Sequence, residues 1–214
     1  MDPSRFVATL PSHWHDFPRS ETPRDPRFGE ILERVPGLAC ANNLALLNIA
    51  ASLLDAGETY VEVGSFRGTS LIAAMLDNEQ PQFVAVDDFS FREAKRATLE
   101  RNLAAFGLLS RVRIVEGDAF EILRDGTLPD AIGVYYYDAA HTYRQQLEGL
   151  RLAEPFLADR ALLIVDDTDW DYVAAATADY LRAQPHAHLI LEIGGKDKGA
   201  PQWWEGVQVL AWAR

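Results

Sequence analysis

The chain has 214 residues, 48% hydrophobic and 24% charged, with a formal net charge of -12. That size suits one domain with a substantial single core, and the composition is that of a soluble globular protein. The acidic balance opposes nonspecific nucleic-acid binding, which needs a basic footprint, and no apolar run approaches the ~20 residues of a membrane span.

The first residues, MDPSRFVATLPSHWHDF, carry Arg5 early but no continuous apolar stretch, so they do not resemble a secretory signal. Prolines at 3, 11, 18, 23 and 26 predict an irregular arm over residues 1–29, ahead of a single domain over 30–214. Within the arm, His13-Trp14-His15 is read as an aromatic anchor that packs it onto the domain. The lone Cys40 excludes an internal disulfide and fits a reducing cytoplasm.

From Phe28 the apolar spacing becomes helical, with Ile31, Leu32 and Val35, a break at Pro36-Gly37, and a second helical run over Leu44–Leu54. Strands are then predicted at 60–63, 83–86, 112–115, 132–137, 161–165, 189–193 and 207–212. Helices are predicted between them at 69–77, 92–106, 142–153 and 171–183, with Gly107 placed to cap the second. Several strands are continuously apolar, as expected of a parallel sheet covered on both faces. The last two are joined by GGKDKGAPQWWEG, too short for a crossover helix, so they should pair antiparallel. The expected fold is α/β, Rossmann-like and doubly wound, with a seven-stranded, mostly parallel sheet ending in an antiparallel hairpin.

The most informative segment is YVEVGSFRGTS, residues 60–70. A buried strand ends in Glu62 and turns through Gly64 and Gly68 into a helix, the form of a nucleotide-type site at the carboxyl edge of a sheet. The glycines do not match G-x-G-x-x-G, because Phe66 stands where a dinucleotide pyrophosphate needs close backbone approach. No Gly-Lys-Ser/Thr follows, so a Walker loop is excluded as well.

The spacing Glu62-x-Gly64-x-x-x-Gly68 resembles the first motif of class I S-adenosylmethionine (SAM)-dependent methyltransferases, whose sheet also ends in an antiparallel hairpin. Two further segments agree in order: FVAVDDFS places Asp87 after the second strand, and RIVEGDAFEIL places Asp118 after the third. The resemblance covers about residues 40–214. It implies that Glu62, Gly64, Ser65, Gly68, Thr69 and Ser70 cradle the methionine part of SAM. It further implies that Asp87 accepts the ribose hydroxyls and that Asp118 and Ala119 meet the adenine, with Asp138 closing the site. Read alone, Asp87 and Asp118 could also cap strand-end turns. Asp88 is read as a solvated loop charge, and Arg67 as pointing outward.

Two more segments carry chemistry. YYYDAAHTY puts Asp138 at the end of the fourth strand with His141 three residues on, and LLIVDDTDW ends the fifth strand in Asp166-Asp167. Neighbouring strands would bring these carboxylates into one crevice, where like charges raise each other's pKa unless a divalent cation relieves them. Mg²⁺ suits such a site. The set resembles the metal-dependent O-methyltransferases, and its D-x-x-H matches a branch acting on sugars and related hydroxyls of bacterial natural products. That resemblance implies Mg²⁺ on Asp138, Asp166 and Asp167, and His141 as the base that takes a hydroxyl proton. Tyr135–Tyr137 are read as sheet core and crevice wall without chemistry, and Asp169 and Asp171 as caps of the following helix. Trp170, Trp203 and Trp204 are read as pocket-lining, with a contact in a homo-oligomer as an equal explanation for Trp203 and Trp204.

The expectation is therefore a cytoplasmic SAM-dependent O-methyltransferase acting on a small-molecule hydroxyl, with no nucleic-acid or membrane partner. The alternatives are a metal-independent methyltransferase with another acceptor, and a SAM-binding protein without catalysis. A nicotinamide-dependent oxidoreductase is disfavoured by the glycine spacing. The short arm departs from the elaborate substrate lids of sugar-specific relatives, which leaves the acceptor open.

Overall fold

The structure is a computed structural model that describes residues 1–79 and 81–214. One seven-stranded sheet organises the chain, in the order β3-β2-β1-β4-β5-β7-β6. Its strands are β1 (Thr59–Val63), β2 (Gln82–Asp87), β3 (Val112–Glu116), β4 (Ile132–Tyr137), β5 (Leu157–Asp166), β6 (Ala187–Ile193) and β7 (Val207–Ala213). The pairs from β3 to β5 are parallel, and β7 runs antiparallel between β5 and β6. The expected terminal hairpin is thus present, with its second strand inserted beside β5.

Helices α1 (Pro3–Thr9), α2 (Arg27–Arg34), α3 (Ala41–Ser52), α4 (Thr69–Met75) and α5 (Arg96–Ala105) accompany α6 (Ala119–Arg124), α7 (Tyr143–Ala153) and α8 (Asp171–Ala183). Strand alternation divides the core between the two faces. Tyr60, Phe83, Val134, Tyr136, Leu162 and Ile164 pack with α3 and α4 residues such as Leu44, Leu47, Leu71 and Ile72. Val61, Val63, Tyr135, Tyr137, Leu163 and Val165 pack with Leu150, Val173 and Tyr180 of α7 and α8. Gly107, at φ 72°, closes α5 as expected: its amide donates to the Ala104 carbonyl at 3.0 Å and that of Leu108 to Leu103 at 2.9 Å.

Two expectations need correction. The first 29 residues are irregular only over 14–26: Asp2 caps α1 by accepting from the Ser4 amide, and Pro3 occupies the first turn, where its missing N–H costs nothing. Met1, Phe6, Leu10 and Trp14 are buried in the core on the α3 side. The anchor reading of Trp14 is correct, since its indole N–H donates to Asn42 Oδ1 at 2.7 Å and its ring packs on Phe17 and Trp203. The second correction is α6, absent from the predicted elements. Asp118 caps it by accepting from the Phe120 and Glu121 amides, and the D-x-x-E of residues 118–121 is the capping pattern that signals it.

Candidate active site

A cleft of about 760 Å³ opens at the carboxyl ends of β1, β2, β3 and β4, where strand order reverses on either side of β1. Its floor is the loop after β1. Gly64 has φ 96°, and a Cβ there would stand 1.8 Å from the Asp138 carbonyl oxygen. The backbone is drawn in on both sides, as the Gly64 amide donates to Val86 and the Asp138 amide to Val63, each at 2.9 Å. Gly68, at φ 86°, turns the chain into α4 with its α-carbon against Leu99.

The other motif residues divide between the cleft and its foundations. Gly64, Ser65, Gly68's neighbours Thr69 and Ser70, Asp87, Asp118, Ala119 and Asp138 line or border the opening. Glu62 does not. It lies fully buried beneath the loop, its oxygens accepting from the Ser70 hydroxyl at 2.8 Å and the Tyr60 hydroxyl at 3.1 Å. Burial pushes its pKa up to about 8 against the lowering effect of those bonds. Thr69 is likewise engaged, donating to the Val35 carbonyl at 2.9 Å. Asp87 accepts from the Phe66 and Phe89 amides, each at 2.6 Å, so it ties the loop to β2 while facing the cleft. Burial raises its pKa. Asp118 lines the cleft and caps α6 with one oxygen, so both readings of it hold. Asp88 accepts from the Ser90 amide in a turn. Arg67 lies over Phe66, donates to the Pro36 carbonyl at 3.1 Å and pairs with Glu93, so it bridges three segments at the rim.

At the other end, Asp138, His141 and Asp167 converge, with one possible ligand atom from each within 4.8 Å of the others. His141 Nε2 is 3.1 Å from Asp167 Oδ2 and 3.7 Å from Asp138 Oδ1. Burial holds the imidazole below its ordinary range, at about 4, and lifts Asp167 to about 8. Asp138 is also pushed up, by burial first and then by Asp166 and Asp167. Carboxylates this buried and this close raise one another's pKa.

Asp166 does not join them. Adjacent residues on a strand point to opposite faces, and Asp166 falls on the α3 side, 2% exposed and outside the cleft lining. Its oxygens accept from Asn43 Nδ2 at 3.3 Å and the Tyr136 hydroxyl at 2.8 Å. Asp167, at φ 55°, leaves strand geometry and turns its carboxylate to His141. The structure thus brings Asp138 and Asp167 of the expected aspartates together with His141, and sets Asp166 behind them against Tyr136 and Asn43.

The wall beyond this group comes from α8 and the hairpin loop. Trp170 meets the His141 ring edge-on at 5.1 Å, and both Trp170 and Trp204 line the cleft as expected. Trp203 does not: it is fully buried, with its indole N–H donating to the Pro18 carbonyl at 2.7 Å. It is therefore unavailable to an acceptor or to a second copy. Asp169 is not a helix cap, because it accepts from the Gly195 and Asp197 amides and pins the hairpin loop, while Asp171 stands in the first turn of α8. Tyr136, assigned no chemistry from the sequence, has its hydroxyl between Asp138 and Asp166. Its place two residues before Asp138 on one strand was the available signal. Glu205, which borders the cleft beside Trp204, carried none.

Residues 61–168 match the family model described as a methyltransferase domain. No curated protein sequence gives a significant match. Among solved structures, the chain is similar to cofactor-bound Rv0187 from MTB, with 20% identity, 100% of this chain and 98% of that one covered, and a TM-score of 0.67. It is similar to TomG, the O-methyltransferase of tomaymycin synthesis from Streptomyces achromogenes solved with SAM, at 18% identity, full coverage of both chains and a TM-score of 0.67. The O-methyltransferase from Bacillus cereus in complex with SAH aligns at 15% identity over 90% of this chain and 92% of that one, with a TM-score of 0.62. With a family match over half of its length and this shared architecture, the chain belongs to the methyltransferase-domain family and has the fold of class I SAM-dependent methyltransferases.

Proposed function

We propose that the protein transfers the methyl group of SAM to a hydroxyl oxygen of a small molecule, assisted by Mg²⁺. The observation that carries this reading is the single cleft in which the Gly64–Gly68 loop and the Asp138/His141/Asp167 group are continuous.

The cradle suits SAM on chemical grounds. Ser65 Oγ is buried there without a hydrogen-bond partner, and Gly64 leaves no Cβ between the backbone and a ligand. Asp87 retains lone pairs for two ribose hydroxyls, and Asp118 with Ala119 borders the place of the adenine. SAH-bound and SAM-bound O-methyltransferases of the same fold support SAM as the cofactor.

The donor set also suits a divalent cation, since two carboxylates crowd an imidazole whose Nδ1 is buried and unpartnered. Asp138 and Asp167 would hold Mg²⁺, whose charge lowers the pKa of a bound hydroxyl. His141 is neutral near pH 7 and can accept the hydroxyl proton, and an ionised Asp167, 3.1 Å from its Nε2, would stabilise the imidazolium. That proton transfer contributes about 10²–10⁴-fold, and alignment of oxygen with the sulfonium methyl up to about 7–11 kcal/mol. Trp170, Trp204 and Leu38 present the apolar wall against which the acceptor lies. A cytoplasmic setting accords with the lone Cys40, and among the described residues no helix is long and apolar enough to cross a membrane.

Calorimetric titration of SAH into metal-stripped protein, with and without Mg²⁺, tests the reading. Micromolar SAH binding with a Mg²⁺ response lost in Asp167→Ala is expected. Absence of SAH binding in both conditions overturns the cofactor, and methyl transfer that survives chelation favours the metal-independent alternative.

A further inference from the structure

One buried carboxylate at the hairpin end of the cleft has no part in the chemistry above. The antiparallel pairing of β5 with β7 sets Asp166 against Val207, which lays residues 205–206 beside 167–169. There the Asp169 amide donates to the Glu205 carbonyl and the Lys196 amide to that of Trp204, each at 2.7 Å. Trp204 is held at φ 58°, a left-handed backbone that a bulky residue adopts only where its surroundings impose it. The two residues so fixed border the cleft together with Asp167 and Trp170. Glu205 is 8% exposed. Its Oε1 accepts from the Lys196 ammonium, whereas Oε2 is buried with no hydrogen-bond partner.

The same Lys196 ammonium lies 5.9 Å from the centre of the Trp204 ring. The chain's own cation thus shows what a carboxylate and an indole face hold together here, an ammonium group. The surrounding charge favours the same ligand. Asp169 and Asp197 each bring an oxygen within 4.8 Å of one from Glu205. The arginines of the lining lie elsewhere: Arg92 follows β2, across β1 from β4, β5 and β7, and Arg67 turns to Pro36 and Glu93.

Resting on the reading of this cleft as a methyl-transfer site, we propose that Glu205 sets acceptor specificity: its Oε2 receives a protonated amine carried by the acceptor, whose body lies against the indoles of Trp204 and Trp170. A buried carboxylate oxygen without a donor is costly, and an ammonium group relieves that cost on binding. An acceptor with a carboxylate or phosphate at the same place meets like charge and is rejected. Lys196, half-exposed and bound to the outer oxygen, leaves the inner one open.

The test uses the full chain loaded with SAH and Mg²⁺, and calorimetry with three phenols that share one hydroxyl and differ in the charge of the tail: tyramine, 4-ethylphenol and 4-hydroxyphenylacetate. Tyramine is expected to bind about 10–100-fold tighter than 4-ethylphenol, the span of a hydrogen bond to a charged group, and 4-hydroxyphenylacetate weakest of the three. Glu205→Gln is expected to bring tyramine level with 4-ethylphenol while SAH affinity stays unchanged. Lys196→Met removes the same ion pair but keeps the carboxylate, and is expected to keep or widen the preference for tyramine. Loss of that preference in both variants alike marks the pair as a structural clasp and overturns the proposal. Tyramine that binds the parent no better than 4-ethylphenol, absence of binding included, overturns it as well. A parent that fails to take up SAH overturns the methyl-transfer reading itself, and this proposal with it, before any phenol is added.

Discussion

Gly64→Ala and Gly57→Ala form a matched pair that isolates the close approach on which the cleft depends. Both glycines have left-handed backbones, at φ 96° and φ 87°. A Cβ at Gly57 would meet nothing within 4 Å, whereas one at Gly64 would stand 1.8 Å from the Asp138 carbonyl oxygen and 2.6 Å from its carbon. The backbone term is common to both and costs about 1–2 kcal/mol. Gly64→Ala adds the displacement of a main chain that is hydrogen-bonded to β1, an overpacking cost of about 1–3 kcal/mol or more. For a chain of this size a loss of 1 kcal/mol lowers Tm by about 2–4 °C, so Gly57→Ala should fall by about 2–8 °C and Gly64→Ala by about 4–20 °C. The two terms also differ in function. Pushing Asp138 away from β1 moves it relative to both the cradle and His141, so Gly64→Ala should lose SAH binding while Gly57→Ala keeps it. Thermal melts and SAH calorimetry on both variants decide the matter, and equal Tm values for the two would refute the argument.

Three further outcomes follow from the geometry. Glu62 titrates near 4.5 unfolded and about 8 in the fold, so the folded state holds an extra proton across that interval and stability falls as pH rises through it. Asp167 acts in the same direction, while His141, lowered from 6.5 to about 4, makes stability fall as pH drops through that lower window. Glu62→Gln should therefore flatten the decline of Tm between pH 5 and 8 in ligand-free protein, a window bounded by about 4.5 and about 8. Trp14→Ala opens a cavity and leaves Asn42 Oδ1 without its indole donor, and should cost about 3–5 kcal/mol in chemical denaturation. Asp167→Ala should stop methyl transfer, measured as SAH release with an accepted substrate, while SAH affinity stays near that of the parent.

The sheet was legible because its strands are apolar runs of the right length separated by helical spacing, and the hairpin because its linker is too short for a crossover. The helix at the start of the arm is hidden from any reading that treats every proline as a breaker. Pro3 sits where a helix accepts it, and Phe6, Leu10 and Trp14, each four residues from the last, repeat an apolar stripe that the prolines obscured. The fate of the tandem tryptophans lay outside the reach of local pattern. Gly195 lets the chain fold back on residues 204–206, so that Trp203 enters the core beside Trp14 while Trp204 faces the cleft.

The adjacent aspartates show where a motif ends and geometry begins. Asp166-Asp167 looks like a pair of ligands because the residues are neighbours in sequence, yet neighbours on a strand face opposite ways. Alternation assigns Asp166 to the α3 face with Tyr136, and only the left-handed backbone of Asp167 frees its carboxylate to reach His141. The same rule, applied two residues back from Asp138, finds Tyr136. A motif names the residue types that chemistry requires, but strand parity and one backbone angle decide which carboxylate faces His141 in the cleft and which one turns to Tyr136 and Asn43.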